Sequence, residues 1–172
     1  LGVREALAGY QSLLPVVKRE RVRKGLGELE DMTVWVFPQD EFEKRLNRNV
    51  IERYSGGKSY RTVSFTSQGN AGLEFTADAK KKDTQLLFIK SPFLKGEVSL
   101  SDVDFYLRKI SDVVEVELPI LNKDGFLVIQ TRDVRVNGYV QPLAKKIIDL
   151  TRSSALRLKE IVIVTCNENS EK

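Results

Sequence analysis

The chain has 172 residues, of which 41% are hydrophobic and 30% are charged, and its net charge at pH 7 is +4. This length fits one domain with a single core, and the composition excludes a disordered chain. Because the sequence has no histidine and one cysteine, it excludes imidazole acid–base catalysis, histidine metal sites and a thiolate zinc cluster.

Residues 3–24 predict a helix at the start of the chain. Apolar side chains between Ala6 and Val17 recur at helical spacing, and Pro15 would kink the helix. Its second half carries a basic cluster, which consists of Lys18, Arg19, Arg21, Arg23 and Lys24. We therefore predict a basic helical arm over residues 1–30 that docks on the domain, binds a partner or lies on nucleic acid.

Residues 31–172 predict an α/β domain, which begins with a strand over 33–37 and a helix over 39–46. Two short segments of alternating apolar and polar residues follow at 62–66 and 73–76. The gap between these two segments is too short for a crossover helix. They therefore predict a β-hairpin.

From Thr84 onward, strands alternate with helices. The order is an apolar strand from Thr84, a helix capped by Ser99 or Ser101, a strand at 125–131 after a turn at 122–125, a helix starting at Pro142 and a strand at 158–164. Such alternation predicts a mostly parallel sheet with helices on both faces. Ligands of such sheets bind outside the carboxyl ends of the strands. We therefore expect function at Ser91, Pro92 and residues 131–133.

Four segments of this half share a further pattern: residues 86–93 with Ser91-Pro92-Phe93, residues 121–133 with Asn122-Lys-Asp-Gly125, Pro142-Leu143, and residues 158–161. In this order they resemble the back half of the S-adenosylmethionine-dependent amino-methyltransferases of DNA and RNA. That family has a strand ending in Asp, Asn or Ser followed by Pro-Pro and an aromatic residue, and a later strand after a glycine-containing turn. The resemblance covers residues 73–164 and implies a Rossmann-like methyltransferase sheet.

The resemblance implies roles for Ser91, Pro92 and Phe93 as the catalytic corner. An exocyclic base amine is a poor nucleophile, and a side-chain oxygen with a backbone carbonyl can accept its hydrogens while an aromatic ring stacks on the base. Ser91 would be the first acceptor and Pro92 would supply the carbonyl. Either Phe93 is the stacking ring and one proline is lost, or Phe93 replaces the second proline and Leu94 replaces the aromatic residue. In both alignments the motif is incomplete.

The resemblance also implies a place for S-adenosylmethionine. Asp78 resembles the acidic residue that contacts the adenine of the cofactor, and the alternative is a turn-forming aspartate. The family has a glycine-rich turn after its first strand, whereas residues 34–37 run into Pro38 and Gln39 without a glycine. We therefore expect side chains to fill the place of the methionine moiety and no cofactor to bind.

Basic side chains are candidates for contact with the phosphates of a nucleic acid. Beside the cluster of the arm, they are Lys80, Lys81, Lys82 and Arg132. The alternatives are a solvated basic face for the clusters and a loop ion pair with Asp133 for Arg132.

These observations predict a catalytically degenerate methyltransferase-like domain that binds nucleic acid or protein as a subunit of a larger complex. The alternative is an active amino-methyltransferase acting on DNA or RNA bases, alone or completed by a partner or by residues upstream of Leu1. A third possibility is an unrelated α/β protein, since fold alone does not determine function. We expect no metal and no membrane segment, and we expect an intracellular location (cytoplasm, nucleus or mitochondrial matrix) because the single cysteine indicates a reducing compartment.

Overall fold

The structure is a computed structural model that describes residues 10–19, 33–67, 73–77, 83–90, 94, 96–152 and 155–167. Within these ranges the strands are β1 (Tyr10–Arg19), β2 (Thr33–Pro38), β3 (Tyr60–Ser67), β4 (Leu73–Ala77), β5 (Thr84–Lys90), β6 (Leu121–Gln130), β7 (Val134–Val136), β8 (Tyr139–Gln141) and β9 (Leu156–Asn167). The helices are α1 (Phe42–Ser55), α2 (Leu100–Glu117) and α3 (Leu143–Thr151).

In the described residues, seven of the strands form one mixed sheet in the order β2-β9-β1-β6-β5-β3-β4. Its parallel pairs are β2–β9, β3–β5 and β5–β6. Strands β1 and β4 run against their neighbours, because β1 is antiparallel to β6 and β9 and β4 is antiparallel to β3. The three strands predicted from Thr84 onward therefore share one direction, as expected, but β1 separates the last of them from β6.

Helices cover both faces of the sheet, which confirms the predicted α/β class. Helix α1 packs on one face through Leu46, Val50 and Tyr54, against a buried cluster that includes Leu86 and Val128. Helices α2 and α3 pack on the other face. Ser99 caps α2 in a capping box with Asp102. Pro142 was predicted to be the first residue of α3 and is its N-cap, so the helix begins one residue later than predicted.

The predicted N-terminal helix is wrong for residues 10–19, which form β1 inside the sheet. Five consecutive residues from Leu13 to Val17 are buried, as a central strand requires. The pairs Leu13↔Thr131 and Val16↔Val128 place Pro15 opposite Ile129, and the ladder to β6 is interrupted between those two pairs. Proline has no N–H to donate, so the strand tolerates it at this gap.

The hairpin predicted after residue 62 is confirmed, since β3 and β4 pair antiparallel from Val63↔Ala77 to Ser67↔Leu73. The predicted turn at 122–125 is wrong because these residues belong to β6. Thr84 of β5 pairs with Leu121, and Leu86 pairs with Phe126. The four residues 122–125 therefore form a bulge opposite the single residue Gln85. A Cβ at Gly125 would come within 2.9 Å of the carbonyl oxygen of Gln85, which explains the glycine there. Among the described residues, no helix combines the length and apolar character that crossing a membrane requires.

Candidate functional site

The carboxyl edge of the sheet, where β5 ends at Lys90 and β6 ends at Gln130, is the place at which the sequence predicts function. These two residues are paired across the parallel strands. Because β1 and β4 are antiparallel, their first residues lie at the same edge, while Lys18, near the end of β1, lies toward the opposite, amino edge. Helices α1 and α2 each follow a strand of the sheet that ends at the carboxyl edge and therefore begin at that side, whereas α3 follows the short strands β7 and β8.

Hydrogen bonds between side chains hold the carboxyl edge together. Lys90 Nζ donates to Glu43 Oε2 at 3.0 Å and thereby joins the end of β5 to the start of α1. The hydroxyl groups of Tyr106 and Thr131 share a hydrogen bond of 3.1 Å, which joins α2 to the chain just after β6. The position of the segment that follows β6 is thus set by buried contacts.

The predicted catalytic residues Ser91, Pro92 and Phe93 lie outside the described residues, as do Asp78 and Lys80, Lys81 and Lys82. Their roles stay predictions. The described residues on each side locate the two segments: Lys90 ends β5 at the carboxyl edge, and Ala77 pairs with Val63 where β4 runs toward the amino edge. The strand before Asp78 therefore runs away from the edge at which the strand before Ser91 ends.

The strand that was compared with the cofactor-binding strand of the family is not the neighbour of β5. Strand β2 lies at the far side of the sheet, four strand positions from β5 or about 19 Å at the usual strand spacing. There the ring of Phe37 packs 6.2 Å from those of Trp35 and Phe42. The neighbour of β5 is β3. The absence of glycine after β2 therefore carries no information about a cofactor.

The end of β3 lies next to the end of β5. Strand β3 pairs with β5 up to Ser64↔Lys90 and continues to Ser67, which pairs with Leu73. The intervening residues 68–72 have the sequence Gln-Gly-Asn-Ala-Gly and lie outside the described residues. Adjacency of strands is a nonlocal property, so the sequence pattern did not identify β3 as the neighbour of β5.

Of the basic residues that were predicted to bind nucleic acid, the two whose side chains the structure describes, Lys18 and Arg132, lie toward opposite edges of the sheet. Lys18 pairs with Phe126, five residues before Thr131, or about 17 Å along the strand from the edge at which Arg132 lies. Its Nζ lies 6.0 Å from the centre of the Phe126 ring. The side chain of Arg19 and the whole of Arg21, Arg23 and Lys24 lie outside the described residues.

A small β-ribbon, β7–β8, follows β6 and was not predicted. Its turn is Asn137-Gly138, with φ angles of 51° and 83°, which is the pattern of a type I′ turn. Val136 is buried in the core, whereas Tyr139 is 76% exposed. An Asn-Gly pair flanked by Val-Arg-Val and Tyr-Val-Gln is a strong hairpin signal and could have identified the ribbon from the sequence.

Toward the amino edge, buried charges are paired. Arg61 on β3 donates from Nε and Nη2 to the two oxygens of Glu117 at 2.6 and 2.9 Å, and both side chains are almost fully buried. Glu160 accepts hydrogen bonds from Tyr54, Arg53 and Thr33. Burial, followed by the hydrogen bond to Glu160, raises the pKa of the Tyr54 phenol. These contacts link the sheet to the ends of α1 and α2.

Among the described residues, no cluster of acidic and cysteine side chains is arranged to hold a metal ion. No family model, no curated protein and no solved structure matches the chain.

Proposed function

We propose that this chain is a methyltransferase-like domain that has lost catalysis and acts as a nucleic-acid- or protein-binding subunit of a larger complex. One observation carries the proposal: β3, the neighbour of β5, turns back into the antiparallel β4 after Ser67. In Rossmann-type sheets the glycine-containing turn after the first strand opens a helix, and the cofactor lies against that turn. Only five residues separate Ser67 from Leu73, too few for such a helix.

The remainder of the Rossmann-like arrangement supports the first half of the proposal. Strands β3, β5 and β6 are adjacent and parallel, and α2 connects β5 to β6. A loop after β5 would therefore lie at the edge where ligands of such sheets bind. That loop begins with Ser91-Pro92-Phe93, in which only one proline of the family's motif is present.

The packing of Leu94 favours one of the two alignments of this motif. Leu94 is partly buried and packs against the core under α2. A side chain held in the core is poorly suited to stack on a base. Phe93 is therefore the better candidate for the aromatic position, with one proline of the motif lost. Pro92 would then supply the backbone carbonyl that follows Ser91.

A second candidate function is an active amino-methyltransferase for DNA or RNA. It is favoured by the sequence between β3 and β4, where Gly69 and Gly72 would let the backbone approach a cofactor closely. In this case Ser91, Pro92 and Phe93 would orient the amine, and Asp78 would contact S-adenosylmethionine. Basic residues such as Arg132 would contact phosphates.

Calorimetric titration with S-adenosylmethionine tests the proposal. We expect no heat of binding up to millimolar cofactor, because the helix that would follow the cofactor turn is replaced by β4. The matched variants are Asp78→Asn and Ser91→Ala, which should behave like the wild-type chain. Binding in the micromolar range that Asp78→Asn abolishes would contradict the proposal and support the active enzyme. Loss of methyl transfer to nucleic acid in Ser91→Ala would then assign the catalytic role.

A further inference from the structure

The ribbon β7–β8, residues Val134 to Gln141, exposes a large aromatic ring beside the carboxyl edge of the sheet. Tyr139 is the most exposed of the large hydrophobic side chains in the described part of the chain, and its neighbour Val140 is 42% exposed. A single exposed apolar side chain is common on protein surfaces. Three features of the ribbon, its rigidity, its charge and its position, make Tyr139 different.

First, the ribbon holds Tyr139 in a fixed position. Its partner across the two strands is Val136, which is buried in the core under α2 and α3. Arg135 Nη1 donates to the carbonyl oxygen of Gly138 at 3.2 Å, across the Asn137-Gly138 turn. A tyrosine on a rigid support loses little conformational entropy when a partner covers its ring.

Second, the segment that carries this ring is basic. Residues 132–146 contain four cations and one carboxylate: Arg132, Arg135, Lys145, Lys146 and Asp133. The carboxylate of Asp133 accepts a hydrogen bond from the backbone N–H of Ala144 at 3.3 Å, so it serves the start of α3. Lys146 Nζ donates to the neutral side chain of Gln141, at the end of the ribbon, at 3.0 Å. Lys145 pairs with Asp149 on α3 at 2.6 Å, so residues 132–149 hold four cations against two carboxylates and keep a net charge of +2.

Third, the ribbon starts close to the end of β5. Gln130 pairs with Lys90, the last residue of β5, and only residues 131–133 separate Gln130 from the ribbon. A polymer that lies on the ribbon could therefore reach the loop that follows β5.

We infer that this ribbon is a docking surface for single-stranded nucleic acid, with Tyr139 as the platform on which one base stacks. The inference rests on the proposed binding role and names its partner. An exposed ring on a basic segment is what single-strand binding uses, because every base has a π face and every nucleotide a phosphate. A duplex offers no free base face to Tyr139, and an acidic peptide would use the cations but leave the ring without a flat partner.

Fluorescence anisotropy with labelled single strands of RNA and of DNA, and with a duplex of the same length, tests the inference. We expect Tyr139→Ala to weaken single-strand binding roughly 5- to 150-fold, the range for removal of one stacked aromatic ring. Tyr139→Phe keeps the ring and should bind like the wild-type chain. The matched control is Tyr60→Ala, an exposed tyrosine at the amino edge, which should leave the affinity unchanged.

Several outcomes would overturn the inference: equal affinity of Tyr139→Ala and the wild-type chain, an equal loss in Tyr60→Ala, duplex binding as tight as single-strand binding, or no binding of any polynucleotide. Comparison of the RNA and DNA strands identifies which of the two the ribbon prefers. These titrations contain no S-adenosylmethionine. Binding of S-adenosylmethionine would contradict the proposed loss of catalysis but would not affect the test of Tyr139. An unchanged affinity in Tyr139→Ala would contradict the stacking role but would not affect the cofactor titration.

Discussion

At the amino edge of the sheet, the charges of Arg61 and Glu117 are buried and neutralise each other, whereas at the carboxyl edge Arg132 and Arg135 are exposed. The first arrangement joins β3 to the end of α2, and the second belongs to the segment that carries an exposed tyrosine. A buried charge pair is costly to break, while an exposed charge adds little to stability. The comparison therefore assigns stability to the amino edge and binding to the carboxyl edge, and each prediction below tests one side of that division.

The largest effect should come from Glu117→Ala at the amino edge. This change leaves the Arg61 guanidinium buried without its carboxylate, since the two side chains are only 5% and 2% exposed. Removal of one partner of a buried pair typically lowers the free energy of unfolding by about 3–5 kcal/mol. Urea denaturation followed by circular dichroism would measure it.

Two further variants show whether burial is the cause. The exposed pair Arg48–Glu52 has side chains 73% and 63% exposed, so Glu52→Ala should change the free energy of unfolding by less than about 1 kcal/mol. The double variant Arg61→Met/Glu117→Leu should recover most of the loss, because apolar replacements of a buried pair are often neutral or stabilising. A loss in Glu117→Ala as small as in Glu52→Ala would contradict the structural role of this edge.

A smaller effect, dependent on pH, should come from Tyr54, which donates to Glu160 Oε1 at 2.8 Å. Burial raises the pKa of its phenol, so the folded protein keeps the proton when an unfolded tyrosine, with an ordinary pKa of 10.0, begins to lose it. The stabilisation is therefore complete below pH 10 and is lost as the pH rises from there toward the folded pKa. The free energy of unfolding should fall above pH 10 by up to about 1.4 kcal/mol per pH unit from this group.

Tyr54→Phe should remove this part of the pH dependence. Denaturation curves between about pH 9 and 11 would measure it, since this interval brackets the ordinary tyrosine pKa. Tyr60→Phe, at a half-exposed position on β3, is the matched control and should keep the wild-type slope. If Tyr54→Phe and the wild-type chain have parallel curves, the hydrogen bond to Glu160 does not couple the phenol to folding.

The sequence predicts elements well where one local pattern has one interpretation. The hairpin of β3 and β4 follows from alternating residues and a short gap, and of the two predicted caps of α2, Ser99 and Ser101, the structure shows Ser99. Strand β1 was mistaken for a helix because its apolar residues also fit a helical stripe. Burial of every residue from Leu13 to Val17, together with Pro15, distinguishes the two, and burial on both faces depends on strands distant in the sequence.

The candidate site was less predictable because it depends on which strands are neighbours. Local patterns led to the comparison of β2 with the cofactor strand, although β3 lies beside β5. The ribbon was missed for a different reason, since the Asn137-Gly138 turn is a signal of turn chemistry and not of helix or strand periodicity. A short ribbon has too few residues for a period, so turn chemistry is the better signal there.

The smallest effect on stability should come from Arg135→Gln at the carboxyl edge, where the side chain is exposed and donates to the carbonyl oxygen of Gly138. We expect a change in the free energy of unfolding within about 0.5 kcal/mol. The salt dependence of single-strand binding should nevertheless change. Each phosphate contact contributes about 0.7 to the slope of the logarithm of affinity against the logarithm of salt concentration. The variant should lose about one such contact. Arg48→Gln on α1, an exposed arginine on the other face of the sheet, should keep the wild-type slope. An unchanged slope in Arg135→Gln would mean that Arg135 contacts no phosphate. The charges at the carboxyl edge would then not support its assignment to binding.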